Sequence, residues 1–255
     1  MSEGIALARR GGVLAIAFDR PQKRNALTAA MYGAMADALA AAESDDAVRV
    51  VLFHGTREAF TAGNDLEDFM QRPPSGEDAP VFRFLTAVSA CTRPLVAAVN
   101  GPAIGLGTTL LLHCDLVYAA QDARFSMPFT QLGVVPEFAS SYLLPLIAGY
   151  QRAAELLLLG EPFDAERARS AGFVTAVVPA DQVLETAFAA AEKLARLPKE
   201  PVRLTRALLK SAHREAIERQ LRTEGQQFRR LLKQPAAREA LAAFLEKRKP
   251  DFTNK

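Results

Sequence analysis

The stretch 94–113, PLVAAVNGPAIGLGTTLLLH, decides the fold class. Its first part, 95–99 (LVAAV), is five apolar residues in a row, too short for a helix and closed by Asn100, Gly101 and Pro102. A short unbroken apolar run of this kind is a strand covered on both faces, the signature of a parallel sheet. A glycine-rich turn follows, and residues 105–113 restart as an apolar helix. Reading outward, the runs 13–18 (VLAIAF), 48–53 (VRVVLF), 115–119 (DLVYA) and 173–178 repeat the strand pattern. Between them, 28–43 and 81–91 carry apolar residues at helical spacing, with Thr28 as N-cap of the first. Residues 151–159 predict an apolar helix ending at Gly160, Asp164 caps a short helix that stops at Gly172, and Asp181 caps one running to about 196. From Pro201 to Lys249 the pattern is helical, with no Gly, Ser or Pro linker before it. The expectation is an α/β core over 1–200 and a helical region over 201–255. The segment 71–80 (QRPPSGEDAP) is the most loop-like and is a candidate lid.

Composition narrows the function classes. At 49% hydrophobic and 24% charged, 255 residues bury a sizeable core without staples. The 31 basic and 29 acidic residues leave a net charge of +2, too weak to argue for a nucleic-acid partner. Two cysteines, Cys91 and Cys114, exclude a disulfide framework, and three scattered histidines, His54, His113 and His213, argue against a histidine metal site. The longest apolar runs are broken by Asn, Pro and Gly, so no membrane span is expected. The N-terminal MSEGIALARR has no apolar core of a signal peptide and the chain ends in TNK, which is no peroxisomal address, so a cytoplasmic protein is expected.

Three segments are candidates for chemistry. The turn before the helix at 105 offers free backbone N–H groups, which bind phosphate or a developing oxyanion, or else it is a tight turn with close helix–strand packing. A dinucleotide fingerprint fits badly, because Leu110 stands where a third glycine belongs after Gly105 and Gly107. The segment 60–69, FTAGNDLEDF, is either a second such turn or a loop in which Asp65 caps a helix. In 132–141, LGVVPEFASS, the lone carboxylate of Glu137 sits among Val134, Val135, Pro136 and Phe138. Exposed, it is an ordinary loop glutamate. Buried, its pKa rises and it suits proton transfer near neutral pH.

Together, 21–27 (PQKRNAL), FTAGNDLEDF, RPLVAAVNGPAIGLG, CDLVYAAQDARFSMPF and LGVVPEFASSYLLP stand in an order that resembles the enoyl-CoA hydratase/isomerase (crotonase) superfamily over roughly residues 5–250, and most the Δ3,Δ2-enoyl-CoA isomerases. The resemblance implies a spiral of ββα units with a helical C-terminal region that assembles trimers, often paired into hexamers. It implies acyl-CoA thioester substrates and an enolate stabilised by two backbone amides, those of Asn64 and Leu106. Hydratases of the superfamily use two glutamates; this chain has Thr109 and Phe129 at the matching positions. The single glutamate of the isomerases matches Glu137. The implied reaction is transfer of one proton within a 3-enoyl-CoA, from the α to the γ carbon, in fatty acid β-oxidation, with no cofactor beyond the CoA of the substrate and no metal. CoA contacts fall by resemblance on the backbone of Ala62, Gly63, Asp65 and Leu66, on Lys23, Arg24 and Ala26, and on Lys249 of a neighbouring subunit. Weak hydration, hydrolysis, decarboxylation or ring chemistry on the same base stay open, as does CoA-ester binding without turnover. His113 is expected to be structural, His54 a turn residue, and both cysteines buried small hydrophobes.

Overall fold

All five residues of the run Leu95–Val99 are buried, and the strand they form lies inside a six-stranded sheet. The computed structural model describes residues 3–74, 76, 78–246 and 248–253. In chain order the elements are β1 (Ile5–Arg10), β2 (Val13–Phe18), α1 (Ala29–Ser44), β3 (Val50–His54), α2 (Leu66–Gln71), α3 (Pro80–Ala90), β4 (Leu95–Val99), β5 (Pro102–Ile104) and α4 (Leu106–Thr109). They continue with β6 (Leu116–Ala120), β7 (Arg124–Ser126), α5 (Ser140–Ala148), α6 (Tyr150–Ala154), β8 (Phe163–Asp164), α7 (Ala165–Ser170), β9 (Ala176–Val178) and α8 (Val183–Arg196). Three helices close the chain: α9 (Lys199–Ser211), α10 (Arg214–Leu232) and α11 (Pro235–Leu245).

The large sheet has the order β1-β2-β3-β4-β6-β9, antiparallel only between β1 and β2. A second sheet, β5-β7-β8, runs beside it. Successive units thus step one strand along each sheet, which is the repeat of a ββα spiral. Both faces of β3 and β4 are covered, on one side by α8 and on the other by the aromatic cluster of Phe18, Phe53, Phe60 and Phe84, so these strands carry no polar alternation. Thr28 caps α1, its hydroxyl accepting from the Met31 N–H, and Met31, Met35 and Leu39 form the buried face.

Several boundaries differ from the sequence expectation. The helix expected over 105–113 is α-helical only through Thr109 and tightens to a 3₁₀ turn over Leu110–His113. The helix expected over 151–159 starts at Tyr150 and becomes a π-helical turn at Glu155–Leu159 before Gly160 closes it in the left-handed conformation. The strand expected from 173 begins only at Ala176, and Gln182, not Asp181, is the N-cap of α8, without a capping side chain. Asp164 does cap α7, accepting from the Arg167 N–H at 2.8 Å. In the stretch proposed as a lid, Ser75 and Glu77 lie outside the described residues. No helix among the described residues is long and apolar enough to cross a membrane.

Candidate active site

Two loops meet beside the small sheet. The first, 60–65, joins β3 to α2; the second, 101–106, contains β5. They are zipped by a parallel bridge between Thr61 and Ala103, in which the Thr61 N–H donates to Pro102 and the Ile104 N–H donates to Thr61, each at 3.0 Å. Two glycines allow the contact. Gly63 has φ +85°, and a Cβ there would stand 2.9 Å from the Ile104 carbonyl oxygen; a Cβ on Gly107 would stand 2.6 Å from Cγ2 of Thr61. A third segment is locked onto the pair by Asn25, which is fully buried: its Nδ2 donates to the Ala59 carbonyl at 2.8 Å, and its own carbonyl accepts from the Thr61 hydroxyl at 2.7 Å.

Asn64 and Leu106 therefore sit on adjoining loops, and both line one cavity of about 720 Å³. Leu27 pairs with Asn64 through the Gly63 carbonyl and the Asp65 N–H, so the Asn64 N–H takes no part in the bridge. The Leu106 N–H is the first of α4 and has no intrahelical acceptor. Among the described residues neither amide has a protein partner. With only four α-helical residues behind it, Leu106 gains little from a helix dipole; the free N–H itself is what it offers.

Glu137 lies between the irregular stretch Val134–Pro136 and the turn Phe138–Ala139 and is mostly buried. Its Oε1 accepts a 2.6 Å hydrogen bond from the Thr109 hydroxyl, one helical turn beyond Leu106. Burial pushes its pKa up to about 8, opposed by the Thr109 bond and reinforced by the charge of Glu224. The carboxyl is thus anchored beside the Leu106 helix, although Glu137 is not among the residues lining the cavity, where Phe129, Leu132 and Val134 of the same segment form the wall. Tyr32 of α1 completes the constellation. Its buried hydroxyl donates to Oδ1 of Asn64 at 2.5 Å, and its pKa is held well above the usual phenol value by burial and then by Glu137.

The family model described as enoyl-CoA hydratase/isomerase matches residues 8–255. The chain belongs to that family. It is 36% identical to the 1,2-epoxyphenylacetyl-CoA isomerase of Escherichia coli (strain K12), over 96% of each chain. It is 37% identical to enoyl-CoA delta isomerase 2 of Rattus norvegicus, over 85% of this chain and 56% of that one. Among solved structures, an enoyl-CoA hydratase/isomerase from Pseudoalteromonas atlantica T6c superposes with a TM-score of 0.93 at 42% identity, covering 98% of this chain and all of the other. As a member of the enoyl-CoA hydratase/isomerase family the chain is an enzyme of CoA-thioester metabolism, and its fold is the crotonase fold.

Against that family frame, the other expected contacts divide. Lys23, Ala26, Ala62, Gly63, Asp65 and Leu66 all line the cavity. The main chain of Asp65, however, is committed within the protein: its N–H donates to Leu27 at 2.9 Å and its carbonyl accepts from Phe69 at 2.8 Å. Its side chain caps α2 through the Glu67 and Asp68 N–H groups and pairs with Arg20 at 2.6 Å. The Ala62 N–H likewise donates to Arg24. The N–H groups of Asp65 and Ala62 are thus both used within the protein, and each residue has its carbonyl left for the cavity, that of Asp65 through its second lone pair. Arg24 is exposed, does not line the cavity, and acts through that carbonyl, with φ +49°. Lys249 is exposed and outside the lining, while its neighbours Arg248 and Pro250 are in it.

His113 is structural. Its ring stacks on Phe138 with centroids 4.0 Å apart, and Nε2 donates to the Phe138 carbonyl at 2.8 Å. Burial lowers its pKa to about 3, so it stays neutral. Burial pushes both cysteine thiols up to about 12; Cys91 is buried as expected, while Cys114 is half-buried. His54 ends β3 and does not lie in a turn. Sequence reasoning missed Tyr32 and Glu224. The signal for Tyr32 was a hydroxyl on the apolar stripe of α1; Glu224, in a charged helix, gave none.

Proposed function

We propose that this enzyme converts 3-enoyl-CoA thioesters to the conjugated 2-enoyl-CoA, with Glu137 as the single proton shuttle. The observation that carries the reading is the Glu137 carboxyl, anchored by a neutral hydroxyl at Thr109 and with a pKa near 8. A base with that pKa takes a proton from the α carbon and, as the acid, returns it to the γ carbon. The thioester oxygen, which gains negative charge in between, binds the N–H groups of Asn64 and Leu106. Water activation by a second glutamate is not supported, because the two positions that resemble those of the hydratase pair hold Thr109 and Phe129. One proton moves within the substrate, so the reaction as written uses no electron carrier and no metal.

The apolar cavity wall from α10 and α11, with Phe228, Leu241 and Phe244, suits the acyl chain, and Lys23 suits a CoA phosphate. Exposed leucines at 204, 208 and 209 on α9 support assembly as a trimer or hexamer, which light scattering on the purified protein would test. The 96% coverage of the Escherichia coli epoxide isomerase favours a second reading, ring isomerisation of a phenylacetyl-CoA epoxide on the same oxyanion site.

The deciding assay offers 3-hexenoyl-CoA and 2-hexenoyl-CoA separately and follows the absorbance of the conjugated thioester. A rise with the first and no change with the second supports the isomerase. Loss of absorbance with the second means hydration and overturns the single-base mechanism. Silence in both, with turnover of the epoxide, transfers the site to ring chemistry.

A further inference from the structure

We propose that Glu224, on α10, is a positioning residue for the proton transfer: it clamps the turn that aims Glu137 and so ties the C-terminal helices to the chemistry. The proposal rests on Glu137 being the base.

The turn after Glu137 is strained. Phe138 has φ +63° and Ala139 φ +54°, two consecutive left-handed residues without a glycine. Such a conformation persists only where surrounding contacts over-determine it. Ala139 is the N-cap of α5 and supplies no capping side chain, so the first N–H groups of that helix need an acceptor from elsewhere. Glu224 provides it across 85 residues of sequence. Its Oε2 accepts from the Ala139 N–H at 2.6 Å, and its Oε1 accepts from the Ser141 N–H at 3.0 Å and from the Ser141 hydroxyl. Gln220, one turn earlier on α10, donates to that hydroxyl at 2.7 Å. On the other side the Ser140 hydroxyl donates to the Glu137 carbonyl at 2.6 Å, and His113 holds the Phe138 carbonyl. The turn is therefore gripped by groups from α10, α5 and the 3₁₀ turn after α4, and Glu137 enters it with its main chain fixed.

Three donors on two oxygens call for a carboxylate; a glutamine in its place has one acceptor oxygen and turns its own N–H groups toward donors. The carboxylate also has an electrostatic consequence. Among the described residues, the titratable groups near Glu137 are Tyr32 from α1, Glu224 from α10 and His113, which is neutral; Tyr142 on α5 is hydrogen-bonded to His213 at the start of α10. Glu224 is the one that brings a negative charge to bear on Glu137, and it raises the pKa of the base. Glu224 is itself pushed up to about 7 by burial, against the hydrogen bonds from Ser141 and Ala139.

The test compares kcat, KM and pH profiles for 3-hexenoyl-CoA in the wild type, Glu224→Gln, Ser141→Ala and Glu137→Gln, over roughly pH 5.5 to 9.5. For Glu224→Gln a fall in kcat of about 10- to 100-fold is expected, with KM unchanged, as for a misaimed catalytic group. The acid limb of kcat is expected to move to lower pH, because the charge that disfavours ionisation of Glu137 is gone. A merely structural role would leave that limb in place. An unmoved limb with unchanged kcat in folded Glu224→Gln overturns the positioning role alone. Should Glu224→Gln fail to fold, Ser141→Ala, which removes one donor, carries the same test: a smaller loss in kcat at constant KM supports the role and an unchanged kcat overturns it. Activity retained in Glu137→Gln overturns the reading on which the proposal rests.

Discussion

The Thr109 hydroxyl donates a 2.6 Å hydrogen bond to Oε1 of Glu137, so a position that resembles one of the two hydratase glutamates here supports the carboxyl that resembles the single glutamate of the isomerases. A second carboxylate there would push the Glu137 pKa up; the hydroxyl holds it down against burial. Thr109→Val keeps the shape of a fully buried side chain and removes only the donor. The pKa of Glu137 then rises above its value of about 8. Because a base acts ionised, the acid limb of kcat/KM moves to higher pH and the rate at neutral pH falls. A pH profile with 3-hexenoyl-CoA checks this, and a limb that stays put would mean that the hydroxyl does not bind the ionised form.

Glu137→Gln separates activity from stability. Loss of the shuttle is expected to cost about 10²- to 10⁴-fold in kcat. Stability is expected to change in the opposite direction. The folded pKa of about 8 lies above the ordinary carboxyl value, so between the two the native state binds more protons than the unfolded chain. Wild-type stability on this account falls as pH rises from about 4.5 to about 8. The amide does not ionise, so the variant escapes that loss and gains at most about 5 kcal/mol at alkaline pH. Thermal melts of both proteins at acidic and alkaline pH check the crossover; parallel curves would show that the carboxyl is not desolvated in the native state.

Backbone, not side chain, is expected to hold the thioester oxygen, and the loop geometry allows a direct test. Gly63→Ala puts a methyl 2.9 Å from the Ile104 carbonyl oxygen at φ +85°, so the loop must shift and the Asn64 N–H with it. A loss of about 10²-fold in kcat is expected, the scale of losing one oxyanion donor. Asn64→Ala keeps the N–H and loses only the bond from Tyr32. It is expected to cost less than Gly63→Ala. The reverse order in steady-state kinetics would assign the role to the Asn64 side chain.

The buried strands were legible because period and length leave few alternatives: Leu95–Val99 has no polar residue to place outward. The caps of α1 and α7 were legible from Thr28 and Asp164. What escaped was set by tertiary contact. The strands β5, β7 and β8 have two or three residues each and exist because they pair with one another. β1 has only its first residue buried, so its pattern carries no strong alternation. Helix α5 starts with a cap that comes from Glu224 on a distant helix, which no local motif announces. At the site, resemblance named the positions, but the Thr109–Glu137 bond, the Tyr32 contact and the committed backbone of Asp65 are properties of packing.

Asp65 shows how such packing reaches the substrate. Its carboxylate pairs with Arg20 at 2.6 Å and caps α2, and Arg20 in turn donates to the Ala26 carbonyl at 3.0 Å, so one ion pair holds two segments that line the cavity. Burial favours the neutral acid, but the Arg20 bond and the Asp68 N–H outweigh it and hold the pKa below the ordinary carboxyl value. A carboxyl lowered on folding adds stability above its unfolded pKa and loses it as pH falls through the folded one. Asp65→Asn is therefore expected to cost about 1–2 kcal/mol at neutral pH, for the weakened cap and the broken pair, and much less in strong acid. Since Asn64 moves with this loop as Ala26, Ala62 and Leu66 do, while Glu137 and Thr109 are anchored elsewhere, KM for 3-hexenoyl-CoA is expected to rise and kcat to fall together, kcat by less than in Gly63→Ala. A kcat loss larger than that of Gly63→Ala, at constant KM, would place Asp65 in the chemistry and not in the scaffold of the binding loop.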